Sequence, residues 1–75
     1  MKTYVTLTLS SEGAPASGIT KALLGLGFKP ALGEHDFVYR WADKHVTTEQ
    51  VIEFIDKVQS TLKGMGVGLH FTTLR

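Results

Sequence analysis

From Tyr4 to Leu9 the chain alternates, with Val5, Leu7 and Leu9 on one side and Tyr4, Thr6 and Thr8 on the other. A period of two with β-branched residues predicts a strand buried on one face. Ser10 to Gly18 has loop composition, and Pro15 within it suits the first turn of a helix. Ile19, Ala22, Leu23 and Leu26 then fall at i, i+3, i+4 and i+7, a single apolar helical stripe. The expected first helix runs from about Pro15 to Leu26, with Gly27 as its left-handed stop.

Phe28 to Leu32 reads as a short second strand. Pro30 has no amide proton to give a neighbour, so this strand belongs at a sheet edge. Gly33 to Asp36 is a turn, and Phe37 to Ala42 is a third strand completing a hairpin. The second helix has the sharper start. Thr47 with Gln50 three residues on is a capping box, and Val46 and Val51 stand where a hydrophobic staple needs them. Its apolar stripe is Val51, Ile55, Val58 and Leu62, widened by Ile52 and Phe54. Gly64 ends it, and Val67 to Leu74 alternates as a last strand. The order β-α-β-β-α-β, with right-handed crossovers, predicts a single ferredoxin-like α+β domain over residues 1–75. In it a four-stranded antiparallel sheet carries two helices on one face, and strands one and three are central.

Composition narrows the function classes. Eight Lys and Arg stand against seven Asp and Glu, scattered along the chain. The strongly basic footprint of a nucleic-acid binder is absent. There is no cysteine, hence no disulfide and no thiolate metal site. No stretch approaches the roughly 18 apolar residues that span a bilayer, so a cytoplasmic protein without membrane contact is expected. A domain this small buries only about 60% of its unfolded surface, and a partner subunit is a common way to add buried area.

The side of the sheet away from the helices is where function is expected. Tyr4, Thr6 and Thr8 should point there, with Gly68, His70, Thr72 and Leu74 of the last strand. Strand three is ambiguous. Phe37, Tyr39 and Trp41 share one face and Val38, Arg40 and Ala42 the other, and the alternation does not say which meets the helices. Facing in, the aromatics are core. Facing out, they form with Tyr4 an apolar patch of the kind that marks an interaction site.

The segment Leu32-Gly33-Glu34-His35-Asp36-Phe37-Val38-Tyr39-Arg40, followed by a helix and a strand ending Thr-Thr-Leu, resembles two related groups. They are the effector-binding (RAM) domain of the Lrp/AsnC regulators and the stand-alone GYD family. The opening Tyr4 to Leu9, with Ser11-Glu12-Gly13 after it, is similar to the GYD opening. His35 stands where the motif has an aromatic, and no DNA-binding helix-turn-helix is present. The resemblance implies a ferredoxin-like subunit that dimerises through its sheet and, in the RAM group, binds small metabolites at subunit interfaces. Gly33 and Asp36 also make sense as turn residues alone.

Other chemistry finds little support. His35, His45 and His70 are not spaced as helical metal ligands, and adjacent His35 and Asp36 do not make a zinc site. Gly64 to Gly68 follows a helix and precedes a strand, the reverse of a dinucleotide-binding loop. Ser10, Ser11 and Ser17 lack an evident base. No cofactor or metal is expected. The leading expectation is a non-catalytic homodimer through the open sheet face, binding a small metabolite there. The residues for that role are Tyr4, Thr6, His35, Asp36, Tyr39, Trp41 and His70. The alternatives are base stacking of single-stranded nucleic acid on the strand aromatics, or a small enzyme with a dimer-enclosed pocket.

Overall fold

The alternating opening segment is the first strand, β1, over Lys2–Leu9. The computed structural model describes residues 1–42 and 45–75. Five further elements follow: α1 (Ala16–Gly25), β2 (Lys29–Pro30), β3 (Phe37–Arg40), α2 (Thr48–Leu62) and β4 (Val67–Leu74). The sheet order is β2-β3-β1-β4, with every neighbouring pair antiparallel. This is the ferredoxin-like α+β arrangement, with Pro30 on an edge strand.

Local chemistry sets the helix ends. In α2 the Thr47 hydroxyl accepts from the Gln50 amide, and the Gln50 side chain accepts from the Thr47 amide, so both halves of the capping box form. Pro15 stands just before α1 as its N-cap, and Ala16 is the first helical residue. At the far end of α1 the Phe28 amide donates to Leu23 O and the Gly27 amide to Leu24 O. That is a Schellman stop, and Gly27 takes the positive φ of 100° it requires. Gly27 answers a second demand, because a Cβ there would lie 2.9 Å from Tyr39 Cε1.

The strand β2 is shorter than its pattern suggests. Only Lys29 and Pro30 pair with β3, and one further bond, Ala31 N to Asp36 O, carries the hairpin on. Phe28, expected in the strand, is instead a fully buried core residue.

The core lies between sheet and helices. Val5, Ile19, Leu23, Phe28, Phe37, Val58 and Leu62 form it. At one end an aromatic cluster centres on Phe54 of α2. Its ring centroid is 4.2 Å from Tyr39, 5.2 Å from Trp41 and 5.6 Å from Phe28. Thr3, with no exposed surface, is the one buried polar side chain among the described residues. Its hydroxyl accepts from Trp41 Nε1 at 2.8 Å and meets Thr73 Oγ1 at 3.0 Å, so its burial leaves nothing unsatisfied.

Two loops join at the other end. The Ala14 amide donates to Met65 O at 2.7 Å. A Cβ on Gly13 would lie 2.6 Å from that same oxygen, and one on Gly66 2.7 Å from Gly13 Cα. The loops touch backbone to backbone, which glycine alone allows.

Candidate functional site

The register resolves the ambiguity of strand three. Val5 pairs with Phe37 and Thr3 with Tyr39. Paired residues share a face, and Val5 is buried beneath the helices. Phe37, Tyr39 and Trp41 therefore all lie on the helix side. Tyr39 and Trp41, counted among the open-face candidates, belong to the cluster around Phe54. The outward aromatic patch does not form, because α2 supplies an aromatic partner that the strand sequence alone cannot reveal.

The open face is built from cross-strand rows. One row is Lys29, Val38, Tyr4 and Thr72 across all four strands. The next is Arg40, Lys2 and Leu74, and on the other side Thr6 faces His70. Val38 is buried although it lies on this side, while Arg40, Lys2, Lys29 and His70 are exposed. Tyr4 and Thr6 are half-buried.

The turn before β3 folds back onto this surface. His35 stacks on Tyr4 with ring centroids 4.7 Å apart and planes at 30°. Its Nδ1 lies 3.2 Å from Thr6 Oγ1. Asp36 serves the backbone instead. Its Oδ2 accepts from the Leu7 amide at 2.7 Å, and its own amide donates to Val5 O. The carboxylate thus continues the β1–β3 ladder one step past the last residue pair. Tyr4, Thr6, His35 and His70 are brought together, with Thr6 between the two histidines. Asp36 is beside them, but its charge is engaged. Among the described residues no three His, Asp or Glu side chains are placed to hold a metal ion.

Cations that look scattered in the sequence come together on this face. The Trp41 amide donates to Met1 O, so residues 1 and 41 are a hydrogen-bonded pair. Lys2 and Arg40 are then a non-hydrogen-bonded pair, the site where facing side chains come closest. Like charges directly opposite destabilise a sheet. Lys29 is diagonal to Arg40 on the same face, beside Val38. Among the described residues none of the three has a carboxylate partner. The period-two spacing of Lys2 and Tyr4 carries the signal for Lys2. The other two cations require the register.

Away from this face, an open groove of about 1180 Å³ lies between the C-terminal half of α2 and the ends of β1 and β4. Leu9, Leu62, Val67 and Leu69 line it, with Asp56 and Lys63 at its rim. No helix among the described residues is long and apolar enough to cross a membrane. No family model, curated protein or solved structure matches this chain.

Proposed function

We propose that this protein is a small binding domain, not a catalyst, that takes a small anionic metabolite with a flat ring on the open face of its sheet. The observation that carries the reading is Lys2 directly opposite Arg40, with no carboxylate partner among the described residues, beside the stacked Tyr4–His35 pair. The two cations repel each other across the strands, and a bound carboxylate or phosphate converts that repulsion into two charge-assisted hydrogen bonds. Arg40 supplies a planar fork suited to such groups and Lys2 a point charge. Tyr4 supplies an aromatic surface next to them, held by His35, which Thr6 anchors in turn. The resemblance to RAM domains, whose ligands are small metabolites, supports the same class of ligand.

The base-stacking alternative finds three of its four strand aromatics, Phe37, Tyr39 and Trp41, turned to the helix side and keeps only Tyr4 on the open face. A homodimer packed face to face through this surface would bury unpaired cations, a costly contact unless the anion is present.

The test is calorimetric titration with matched small molecules, aromatic carboxylates and phosphates against their uncharged analogues. Binding is expected only for the anions. Arg40→Gln and Tyr4→Ala should each weaken it about tenfold, the worth of one charge-assisted bond or one stacking contact. Equal affinity for charged and neutral members, or an Arg40→Gln protein that binds as well as the parent, would defeat the proposal.

A further inference from the structure

The two edges of the sheet are built in opposite ways. The β2 edge is two residues long and consists of exposed Lys29 and Pro30. A short strand, a lysine and a proline are the devices that stop an edge from recruiting another chain. The β4 edge has none of them. It runs for eight residues, Val-Gly-Leu-His-Phe-Thr-Thr-Leu, with no proline and no Lys, Arg, Asp or Glu.

The ladder tells which backbone groups are free. Odd-numbered residues of β1 hydrogen-bond toward β3, as Trp41 N to Met1 O shows, so the even ones bond toward β4. Their partners are Gly68, His70, Thr72 and Leu74. The N–H and C=O groups of Val67, Leu69, Phe71 and Thr73 therefore point out of the sheet. Among the described residues no backbone bond satisfies them. The groove between β4 and α2 lies along Val67 to Leu69 and leaves room beside that stretch.

We infer that this edge pairs with the β4 edge of a second copy, antiparallel, about a two-fold axis perpendicular to the sheet at His70. The occupant is a second copy because the strand is complementary to itself. The symmetric register joins outward groups to outward groups and sets Leu69 against Phe71, and Val67 against Thr73, on the helix side. On the open side Gly68 meets Thr72 and His70 meets its own counterpart, so no Lys, Arg, Asp or Glu faces its like within the strand. The result is a continuous eight-stranded sheet whose two open faces lie side by side. The arrangement stands independently of the proposed ligand.

The absence of cysteine makes the test clean. In this register the two His70 residues form a non-hydrogen-bonded pair, whose Cβ atoms are close enough for a disulfide. Light scattering on the parent protein should give twice the 8.2 kDa chain mass. His70→Cys should oxidise to a covalent dimer, whereas Thr8→Cys, on the same face but a central strand, should not. His70→Lys should raise the dimer Kd about fivefold while circular dichroism is unchanged, because it sets like charges opposite each other. A parent protein that stays at 8.2 kDa at its highest soluble concentration overturns the inference. So does a dimer in which Thr8→Cys cross-links and His70→Cys does not.

Discussion

Replacing Arg40 by glutamine removes one of two cations that face each other across β1 and β3, with no carboxylate partner among the described residues. Their Cα atoms belong to the close type of pair, about 4.5 Å apart, and the flexible arms can spread the charges to roughly 7 Å. At that separation in water the repulsion is about 0.6 kcal/mol. Physiological salt, with a Debye length of about 8 Å, reduces it to about 0.25 kcal/mol. For 75 residues the unfolding entropy is on the order of 160 cal/mol/K, so these energies correspond to Tm shifts of about 4 °C and 1.5 °C. Arg40→Gln should therefore melt higher than the parent, more so at low salt. Lys2→Gln should do the same, and the double variant should gain little beyond either single one, since one repulsion can be removed only once. Scanning calorimetry on the four proteins at two salt concentrations gives the coupling directly. A coupling of zero, or one favouring the parent pair, would show that the two charges do not oppose each other and would remove the ground for an anion site.

The remaining expectations concern the frame around the site. Gly13→Ala should cost about 1–3 kcal/mol in urea denaturation, because its methyl would sit 2.6 Å from Met65 O with backbone on both sides. Thr47→Ala should cost about 1 kcal/mol by the same measurement, the usual value of an N-cap. Thr3→Val, which leaves the Trp41 indole N–H without its acceptor, should cost about 1–3 kcal/mol and alter the near-ultraviolet circular dichroism of the tryptophan. Trp41 fluorescence in the parent should not respond to single-stranded oligonucleotides at low salt, because the ring packs against Phe54 under α2.

Local signals were legible, and pairwise ones were not. Thr47 and Gln50 announce the start of α2, Gly27 announces the end of α1, and Pro30 places β2 at an edge, because each acts through backbone a few residues away. The facing of strand three depends on which residue of β1 stands opposite Phe37, a relation between distant segments. Tyr39 and Trp41 accordingly lie half-buried against Phe54 on the helix side, where the alternation left their face open. The cations of the open face are hidden for the same reason. Lys2, Lys29 and Arg40 look scattered along the chain and converge only once three strands are aligned. Among the candidate ligand-contact residues, Tyr4, Thr6 and His70 follow from strand period alone. The contact of His35 with Tyr4 depends on how the turn folds back, and no local rule specifies that.

The pairing of β1 with β4 joins the two most distant strands of the chain along their full length. Such a contact forms only after a long loop has closed, so the ordering cost falls early and the reward late. Until β4 arrives, β1 has partners on one side only, over Lys2 to Val5, and its apolar residues Leu7 and Leu9 have no strand beside them. A three-stranded form without β4 would leave the central strand half unpaired, so the docking of β4 and the closing of the core are expected to be one cooperative event.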